Sequence, residues 1–595
     1  MAPRIYKSHI PARPLVQHSL FTHLFPNDSQ HSSDLPAYID APTGSTLTRG
    51  QVKGLALSFG YGLRTQKHAK RGDTILMFSP NSICWPVVIF GAIAAGLRCT
   101  LANTAYTPSE LAHQYTDSHA SLICTTRSNL QTVQKMLGSV RIKDVERRVI
   151  LLPDDFNWVP GAKKTETVGK SIPGLTKLED LLGLGQLERE ERFDGIDAEQ
   201  ETVLLCYSSG TTGKPKGVET THQNLTTVLD IVYSGFPPMY PETDRMLAVL
   251  PFYHIYGAVK LLLFPFYDGV PAVVMAHFDP LKFCDAIQRY KITFTLIVPP
   301  VLVVMARHDC VNKYDLSSLK VMFSGAAPLG GELVKTVTSR IRPTNQPPLH
   351  IVQGYGLTET SPTTHLLPIL PAREWGGITA ESKYGSVGFL LPNLEARLVV
   401  DDKDGLAKTD DEVVDAKEGE RGELWVRGPS VMKGYLNNAA ATTNAFYPYS
   451  SPPPSNPTPG SRWFKTGDVA VVDKDGFWRI VDRKKELIKW KGFQVPPAEL
   501  ESVLLTHPNI ADVAVIGVDS AREATEMPRA EVQEWMKTKV ARHKFLRGGV
   551  VVVNAIPKSA AGKILRRELK EQAKKELDGK DPAENMDLDK ARAKL

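Results

Sequence analysis

A polar loop near the middle of the chain carries the residue types of a phosphate-binding site. It follows the apolar, strand-like run 203–207 and reads Ser208-Ser209-Gly210-Thr211-Thr212-Gly213-Lys214-Pro215-Lys216-Gly217. Small residues let backbone N–H groups approach anionic oxygens, and the two lysines can neutralise the charge of those oxygens. The segment that opens with Thr221, His222 and Asn224 could cap a following helix. The pattern indicates a loop that handles a nucleotide polyphosphate.

The nearest familiar motif, the Walker A sequence G-x-x-x-x-G-K-[ST], fails at two positions. Ser208 stands in place of the first glycine, and Pro215 stands in place of the hydroxyl residue that would hold magnesium. A proline there would also prevent Lys214 from opening a helix in the usual way. The alternative is an ordinary polar turn, since surface loops are routinely rich in these residue types.

Length and composition favour a globular protein of several domains. The chain has 595 residues, which exceeds a single core on the rough prior of about 150 residues per domain. Its 42% hydrophobic and 23% charged residues are ordinary, and a net charge of +6 spread along the chain does not indicate nucleic-acid binding. The apolar stretches are shorter than the roughly 20 residues that span a bilayer, or are broken by proline, so we expect a soluble protein without a transmembrane segment.

Neither the cysteines nor the N-terminus indicates export. The six cysteines show no C-x-x-C spacing and mostly lie in apolar surroundings, which favours buried free thiols over disulfides or a zinc site. The N-terminus carries Arg4, Lys7 and Arg13, but prolines interrupt it and no continuous apolar stretch follows. We expect a surface arm there and not a signal peptide.

The first part of the chain predicts α/β layers. Residues 40–200 alternate strand-like and helix-like stretches. Further on, three strand-like runs, 246–250, 320–323 and 351–353, each lead into a glycine-containing loop. Because open α/β sheets collect ligand sites at the carboxyl ends of their strands, we expect these loops to face one another.

The rest of the chain predicts a small β-barrel-like subdomain and then a separate terminal unit. From 385 to 480 the sequence is rich in strand-like runs and punctuated by turns. After Asp482 the chain becomes strongly basic and continues as an α+β unit. We place the domain boundary there, which gives a large N-terminal domain over 1–482 and a small C-terminal domain over 483–595.

Four motifs, found in this order, make the chain resemble the adenylate-forming enzymes, the superfamily of acyl-CoA synthetases, luciferases and peptide-synthetase adenylation domains. They are the loop at 208–217, Gly354-Tyr355-Gly356-Leu357-Thr358-Glu359-Thr360, Lys465-Thr466-Gly467-Asp468 and Pro557-Lys558-Ser559-Ala560-Ala561-Gly562-Lys563. The resemblance covers nearly the whole chain and is strongest to 4-coumarate-CoA ligases and related acyl-CoA ligases. It implies two α/β sheet subdomains and a small β-barrel subdomain, followed by a mobile α+β C-terminal domain.

Enzymes of this kind activate a carboxylic acid with MgATP to an acyl-AMP, release pyrophosphate, and pass the acyl group to the thiol of CoA. A carboxylate is a poor acyl donor, whereas its mixed anhydride with AMP is a good one. The resemblance therefore implies an acid–thiol ligase for an aryl or medium-chain acid, with ATP, Mg²⁺ and CoA. The alternatives are an adenylating enzyme with a non-CoA acceptor and a non-catalytic nucleotide- or acyl-binding protein. No carrier domain follows the C-terminal unit, which favours CoA, and Lys563 argues against a pure binder.

The resemblance also implies which residues hold the nucleotide. Glu359 would ligate magnesium, a cation that prefers oxygen ligands. The other implied contacts are Thr211, Thr212, Lys214 and Lys216 for the β- and γ-phosphates, Gly325, Ala326 and Tyr355 for adenine, Thr358 for the α-phosphate, and Asp468 with Arg483 for the ribose.

The C-terminal domain would supply different residues to the two half-reactions. Lys563 would bridge the substrate carboxylate and the α-phosphate, and so place positive charge where negative charge gathers. Lys485 matches the hinge about which this domain rotates. The rotation would withdraw Lys563 and present the residues of the thiolation step, Lys489, Lys491, Gly492 and Gln494.

A third implied set lines the acyl pocket. His254 and Tyr256 fall in a loop that resembles the gate of that pocket, although a histidine beside aromatic residues is more often a structural hydrogen-bonding group. Lys260 lies where plant coumarate ligases carry a small residue. Pointing inward, it could pair with a polar or anionic group of the acid; pointing outward, it would carry no information about the substrate. The neighbouring pocket positions are Ala326, Gly356, Pro362 and Thr363.

The C-terminal domain departs from the pattern of the family. Residues 512–518 predict a strand and 526–530 the start of the next, but Ala530 then joins directly to a helix-forming run. A strand of the small sheet would be missing, which exposes unpaired backbone and puts the thiolation step in doubt. We hypothesise a faulty gene model, with a splice variant or a real loss as alternatives. Sequencing the transcript across these codons tests this, and an unbroken match to the present sequence would reject it.

The last three residues, Ala593-Lys594-Leu595, are a close variant of the Ser-Lys-Leu peroxisomal address. Such a match can also arise by chance in a tail rich in alanine and lysine. We expect import into the peroxisome through the receptor that reads this address, and otherwise a cytoplasmic protein.

Overall fold

The structure is a computed structural model with an α/β architecture. It describes residues 3–162, 172–193, 195–208, 214–325, 329–342, 347–369, 383–403, 407, 409, 412–448, 461–490, 493–507, 509–510, 512–517, 530–558 and 563–577. The strands, in chain order, are β1 (Tyr6–Lys7), β2 (Pro36–Asp40), β3 (Thr46–Thr48), β4 (Thr74–Phe78), β5 (Arg98–Leu101), β6 (Ala120–Thr125), β7 (Val149–Leu151), β8 (Thr176–Lys177), β9 (Thr202–Ser208), β10 (Lys216–Thr221), β11 (Met246–Ala248), β12 (Ala272–Val274), β13 (Phe294–Ile297), β14 (Val321–Ser324), β15 (His350–Gly356), β16 (Thr363–Leu366), β17 (Phe389–Leu390), β18 (Glu395–Asp401), β19 (Val414–Asp415), β20 (Gly422–Arg427), β21 (Gly434–Tyr435), β22 (Phe446–Tyr447), β23 (Trp463–Val472), β24 (Trp478–Arg483), β25 (Ile488–Trp490) and β26 (Phe493–Val495).

The helices lie between these strands and cover the sheets. A π-helix, Ala258–Leu263, joins α10 to α11, and a 3₁₀ turn spans Thr358–Thr360. The α-helices are α1 (Leu20–Leu24), α2 (Arg49–Thr65), α3 (Cys84–Ala94), α4 (Pro108–Asp117), α5 (Leu130–Ser139), α6 (Val145–Arg148), α7 (Leu178–Leu182), α8 (Ile196–Gln200), α9 (His222–Gly235), α10 (Ile255–Gly257), α11 (Phe264–Asp268), α12 (Pro280–Tyr290), α13 (Pro299–Arg307), α14 (Gly331–Ile341), α15 (Ala439–Ala445), α16 (Pro497–Leu504), α17 (Ala530–Lys537) and α18 (Arg566–Leu577).

The first sheet is built around the strand that leads into the phosphate loop. Its order is β21-β10-β9-β5-β4-β6-β7-β8, with parallel pairing from β9 to β8 and antiparallel pairing of β9 with β10 and of β10 with β21. The apolar start of β9 is fully buried, as expected of a strand covered on both faces. Thr221 caps α9 through a capping box with Asn224, which confirms the predicted helix start. The strand β10 between the loop and that helix was not predicted.

The second sheet confirms the expected arrangement of glycine-containing loops. Its order is β17-β16-β15-β14-β13-β11-β12-β2-β3, and the strands from β15 to β2 are parallel. The predicted strand-like runs correspond to β11, β14 and β15, so their carboxyl ends lie along one edge. Helix α3 is buried in full and belongs to the same apolar core as both sheets. A Cβ on its Gly91 would lie 2.6 Å from the Ala56 carbonyl oxygen, so glycine permits the close approach of α2.

The strand-rich region forms a third, antiparallel sheet. Its order is β1-β18-β20-β23-β22, with β19 on β18 and β24 on β23. The N-terminal arm contributes β1, in which Tyr6 pairs with Ala396, and the Arg13 N–H donates to Asn393 Oδ1 at 2.7 Å. The arm therefore lies along this sheet, as expected of a surface segment.

The described C-terminal residues form a small unit with its own core. The β25-β26 hairpin, α16 and α17 contribute to an apolar cluster that includes Leu500, Val515 and Met536. The prediction of a strand over 512–518 is wrong for its described part, 512–517, which has no strand conformation. Side chains take the place of a neighbouring strand. The predicted strand start at 526–529 lies outside the described residues, and Ala530 opens α17.

Two side chains satisfy the backbone of Val515. Its N–H donates to Glu501 Oε1 at 2.7 Å, and its carbonyl accepts from Arg566 Nε at 3.2 Å. Arg566 Nη2 also donates to both carboxylate oxygens of Glu501, at 2.7 and 2.6 Å, and Nη1 donates to Glu486 Oε2 at 3.0 Å. This charged cluster fixes the segment that the sequence predicts as a strand.

Two further expectations concern the state of the cysteines and the lack of a transmembrane helix. All six cysteines are buried free thiols, as predicted. Among the residues that the structure describes, none of the helices is both long enough and apolar enough to cross a bilayer.

Candidate active site

A cavity of about 1970 Å³ lies between the N-terminal sheets and the C-terminal unit. One wall is formed where β9, β14 and β15 end, through residues such as Ser208, Gly325 and Tyr355. The opposite wall includes Glu501 of α16 and Lys563. Both parts of the chain therefore contribute side chains to the same space.

The phosphate loop opens from a hairpin. Ser208 lies opposite Lys216 in the antiparallel pair β9-β10, and both residues line the cavity. Ser208 Oγ is buried and has no hydrogen-bond partner among the described residues, which is rare for a buried hydroxyl and leaves it available to a ligand oxygen. Lys214 is exposed to solvent. The predicted contacts at Ser209, Gly210, Thr211, Thr212 and Gly213 lie outside the described residues.

The Tyr435 side chain joins this loop to Glu359. Its hydroxyl donates to Glu359 Oε1 at 2.9 Å, and the Lys216 ammonium lies 4.3 Å from the centroid of its ring. The pairing of β21 with β10 holds Tyr435 beside the hairpin. Burial, and next the Glu359 charge, raise the pKa of Tyr435, so its hydroxyl stays protonated and remains a donor. Sequence reasoning missed Tyr435, because the dipeptide Gly434-Tyr435 matches no functional motif.

Asp468 and Arg483 meet because of the register of β23 and β24. The antiparallel pairing places the two residues opposite each other, and Arg483 Nε lies 3.1 Å from Asp468 Oδ1. The Tyr355 hydroxyl donates to the other carboxylate oxygen at 2.5 Å. Burial raises the pKa of Asp468, and the Arg483 charge opposes this change. Of the predicted adenine residues, Gly325 and Tyr355 line the cavity, whereas Ala326 lies outside the described residues.

Lys563 brings a positive charge from the C-terminal unit into this group. Burial and the Arg483 charge lower the pKa of Lys563, while the carboxylates of Glu486, Asp468 and Glu359 oppose that shift. The lysine therefore lies within electrostatic reach of both the predicted magnesium ligand and the predicted ribose ligand. Glu486 was not predicted, because it is one charged residue within a basic, charge-rich run.

His254 has a structural bond and also lies on the cavity wall. As the N-cap of α10, its Nδ1 accepts from the Tyr256 N–H at 3.3 Å. Burial, and then the Lys563 charge, lower the pKa of His254 to about 4, so the imidazole is neutral at neutral pH. Thr358, the predicted contact of the α-phosphate, also lines the cavity.

Two glycines allow the far end of the cavity to narrow. A Cβ on Gly325 would lie 2.8 Å from the Tyr256 ring, and one on Gly356 would lie 1.6 Å from the Pro362 carbonyl oxygen. A side chain at either position would displace this wall. Tyr256, Gly356, Pro362 and Thr363 all line the cavity, so the structure brings these predicted pocket residues together.

Lys260 points inward. Its residue is 1% exposed, and Nζ lies 5.4 Å from the centroid of the Phe236 ring and 5.6 Å from that of Phe264. Burial lowers the pKa of Lys260 well below its ordinary value. The side chain therefore does not extend outward to solvent, but Lys260 is not among the described residues that line the cavity.

The predicted thiolation residues are only partly described. Lys485 is exposed and lines the cavity. Lys489 and Gln494 lie opposite each other in the β25-β26 hairpin, but their side chains are outside the described residues. Lys491 and Gly492 are also outside them. The structure thus gathers the nucleotide and acid residues, and places the proposed hinge at the edge of the same cavity.

The chain matches the sequence profiles of two known protein families. The sequence profile of the family described as AMP-binding enzyme matches residues 25–436. The chain belongs to this family. The profile described as AMP-binding enzyme C-terminal domain matches residues 499–563, so this AMP-binding enzyme carries both characteristic parts.

Curated relatives of this AMP-binding enzyme are CoA ligases. A probable 4-coumarate-CoA ligase from Dictyostelium discoideum is 35% identical over 519 residues, covering 84% of this chain and 86% of the relative. A 4-coumarate-CoA ligase from Narcissus pseudonarcissus is 33% identical over 584 residues, covering 95% and 96%. These matches place the AMP-binding enzyme among the ATP-dependent acid–thiol ligases.

Solved structures confirm the predicted fold class of this AMP-binding enzyme. An anthranilate CoA ligase in complex with anthranoyl-AMP matches with a TM-score of 0.73 at 22% identity, covering 95% of this chain and 98% of that one. A benzoate CoA ligase from Burkholderia xenovorans matches with a TM-score of 0.72 at 22% identity, covering 93% and 99%.

Proposed function

We propose that this AMP-binding enzyme activates an aryl or medium-chain carboxylic acid with MgATP to an acyl-adenylate and transfers the acyl group to CoA. The observation that carries the proposal is the position of Lys563. This lysine enters, from the C-terminal unit, the same cavity that Glu359 and Asp468 line. Lys563 lies within electrostatic reach of both carboxylates, where its charge can act on the reacting α-phosphate.

The nucleotide would lie along the wall formed by the sheets. Lys216 and the loop before it would hold the β- and γ-phosphates, with Thr358 donating to the α-phosphate. Adenine would stack on Tyr355 beside Gly325. The ribose hydroxyls would donate to Asp468, taking over the hydrogen bond that the Tyr355 hydroxyl makes at 2.5 Å. Arg483 would keep that carboxylate ionised.

In the first half-reaction, a carboxylate oxygen of the acid attacks the α-phosphorus, and the bond from that phosphorus to the departing pyrophosphate breaks. Negative charge grows on the α-phosphate and on the leaving group as this occurs. Lys563 would stabilise this charge, since it lies in the cavity within electrostatic reach of Glu486, Asp468 and Glu359. Neutral His254 adds no competing positive charge beside it.

Glu359 fits a site for Mg²⁺ shared with the nucleotide. Among the described residues, no cluster of three or more histidine, cysteine or carboxylate side chains could hold a metal alone. Magnesium commonly uses one or two carboxylates together with substrate phosphates. Glu359 is buried, lines the cavity and is oriented by Tyr435, so it would supply such a carboxylate. The bound ion would neutralise phosphate charge during the displacement.

In the second half-reaction, the CoA thiolate attacks the acyl carbon and AMP leaves with the bonding electron pair. We propose that Lys485 acts as the hinge that lets the C-terminal unit withdraw Lys563 and present Lys489, Lys491, Gly492 and Gln494. The exposed position of Lys485 beside the cavity supports this role.

Acid-dependent exchange of labelled pyrophosphate into ATP tests the first step, and thioester formation with CoA tests the second. We expect both with at least one acid from a panel of aryl and medium-chain acids. Exchange without thioester would indicate another acyl acceptor or a damaged second step. Folded protein that supports exchange with none of the acids would overturn the proposed function.

The Tyr435→Phe variant should need about tenfold more Mg²⁺ for half-maximal exchange, because Glu359 loses the hydrogen bond that orients it. Binding of Mn²⁺ to the complex with a non-hydrolysable ATP analogue, followed by electron paramagnetic resonance, should weaken similarly. Tyr267→Phe is the matched control, since Tyr267 donates to Asp230 at 2.6 Å elsewhere in the fold. Equal metal affinity in both variants would contradict the role of Tyr435.

We also propose import into peroxisomes, supported by the terminal Ala593-Lys594-Leu595, which lies outside the described residues. A fluorescent protein fused to the N-terminus of the full chain should colocalise with a peroxisomal marker. Deletion of the three residues should leave the signal diffuse. A diffuse signal from the intact chain would contradict the proposal.

A further inference from the structure

An arginine of the N-terminal domain caps a helix of the C-terminal unit. Arg307, the last residue of α13, donates to the Ile510 carbonyl through Nη1 at 2.8 Å and to the Leu505 carbonyl through Nη2 at 3.5 Å. Leu505 is the C-cap of α16, and the carbonyls at a helix end lack partners within the helix. The helix dipole also favours a cation at this end. These bonds join segments that lie 203 and 198 positions apart in the chain.

The N-terminal domain also holds the first turn of α16. The Ala498 N–H donates to Asp482 Oδ2 at 3.0 Å, whereas the N-cap Pro496 makes no side-chain cap. A carboxylate at this end again matches the helix dipole. Asp482 lies three residues before Lys485, the proposed hinge. Arg307 therefore holds the end of α16 that is remote from the hinge, about 12 Å along this eight-residue helix.

Helix α16 connects this contact to the segment that carries Lys563. Glu501, in the middle of α16, accepts two hydrogen bonds from Arg566, which follows Lys563 by three residues. All three side chains line the cavity. The helix also packs against the start of α14, where a Cβ on Gly330 would lie 2.5 Å from Ser502 Oγ. The position of α16 against α13 and α14 therefore bears on the position of Lys563.

The base from which Arg307 reaches α16 is itself fixed. Arg340 of α14 donates to the Met305 carbonyl at 3.3 Å and to the His308 carbonyl at 3.0 Å, on either side of Arg307. The end of α13 is thus bonded to α14 within the N-terminal domain. A side chain that leaves a fixed helix end and lines the cavity can hold a separate unit in one orientation.

We propose that Arg307 is a positioning residue for the first half-reaction, in which it holds the far end of α16 against α13 and so keeps Lys563 in the cavity. This inference rests on the proposed function. The bonds from Arg307 have to break before the C-terminal unit can rotate about Lys485, because they join the two parts that separate. Loss of the arginine therefore lowers the fraction of molecules with Lys563 in place and leaves the nucleotide wall unchanged.

Kinetics of the two half-reactions test this role. Arg307→Met should lower kcat for acid-dependent pyrophosphate exchange about three- to tenfold and change KM for ATP by less than about twofold, a moderate loss because Arg307 is exposed. Thioester formation from supplied acyl-adenylate and CoA should not fall, because Lys563 is withdrawn in that step. Arg307→Lys keeps a cation at the helix end and should retain part of the exchange rate.

Arg289→Met is the matched control. Arg289 is also an exposed arginine in the last turn of a helix, α12, and it donates to the Pro42 carbonyl at 3.2 Å. Both of these partners lie in the N-terminal domain. Its removal deletes the same kind of bond without touching α16, so both half-reactions should proceed as in wild type.

A distance measurement tests the position of the C-terminal unit without relying on activity. Spin labels attached to Lys335→Cys in α14 and Lys537→Cys in α17 occupy exposed positions, whereas the six native cysteines are buried. With a non-hydrolysable ATP analogue bound, double electron–electron resonance should give one main distance when Arg307 is present. Arg307→Met should add a second population at another distance, and Arg289→Met should not.

The outcomes separate the two proposals. If Arg307→Met matched Arg289→Met in exchange rate and in distance distribution, Arg307 would have no positioning role, and the proposed function would stand. Equal losses in both half-reactions with an unchanged distance would indicate a purely structural role and would also overturn the inference. Absence of exchange with every acid in wild type would overturn the proposed function, while the distances would still show whether Arg307 holds α16.

Discussion

Replacement of Lys563 by alanine is expected to lower the rate of acid-dependent pyrophosphate exchange by about two to three orders of magnitude. The physical reason is that this lysine supplies positive charge in the cavity, within electrostatic reach of Glu486, Asp468 and Glu359. The wall formed by the sheets keeps its nucleotide contacts in the variant. Affinity for a non-hydrolysable ATP analogue, measured by calorimetry, should therefore change little.

Lys570→Ala is the matched control for this experiment, because Lys570 is an exposed lysine of α18 in the same C-terminal unit. Its exchange rate should equal that of wild type. If Lys563→Ala exchanged at the wild-type rate, Lys563 would not belong to the catalytic set. An equally large loss of ATP affinity would assign Lys563 to nucleotide binding and not to the chemical step.

Replacement of Arg566 by methionine is expected to destabilise the C-terminal unit by about 3 to 5 kcal/mol, the typical cost of breaking a buried ion pair. Glu501 is 8% exposed and would lose both of the hydrogen bonds that Arg566 Nη2 donates to its carboxylate oxygens. The Val515 carbonyl would lose its partner as well. Hydrogen exchange at Val515 and limited proteolysis after residue 483 measure this local effect, since a multidomain chain has no single unfolding free energy.

The neighbouring Arg567 provides the control. It pairs with Glu571 at 3.2 Å, but the two side chains are 64% and 60% exposed, so Arg567→Met should have little effect on stability. The double variant Arg566→Met with Glu501→Leu should recover part of the lost resistance to proteolysis, because the Glu501 charge is then no longer left unpaired, while the Val515 N–H loses its acceptor and stays unprotected. Equal protection of Val515 in the Arg566 and Arg567 variants would show that the cluster does not hold this segment.

Local sequence predicts strands well where both faces are covered by the core. The run that became β4 is almost wholly apolar and is fully buried, so the local pattern and the final environment agree. Local sequence did not predict strand β10, because its polar residues take their extended conformation from pairing with β9. It also failed at 512–517, because a strand needs a pairing partner and Glu501 and Arg566 satisfy Val515 instead.

The candidate site could be predicted from residue types and motif order, but its internal contacts could not. Ser208, Lys216, Glu359 and Asp468 all line the cavity as expected. The bond from Tyr435 to Glu359 spans 76 positions of the chain, and that from Tyr355 to Asp468 spans 113. Such contacts depend on strand register and on the packing of separate sheets, which no local pattern encodes.

The N-terminal arm has a consequence for synthesis on the ribosome. Its Arg4 N–H donates to Asp415 Oδ2 at 2.8 Å, a partner 411 positions later in the chain. At translation rates of about 5–20 residues per second, that partner is made roughly 20 to 80 s after the arm. The arm must therefore remain unpaired on the nascent chain for most of translation. Its prolines and basic residues suit this delay, because they disfavour premature pairing with other strands.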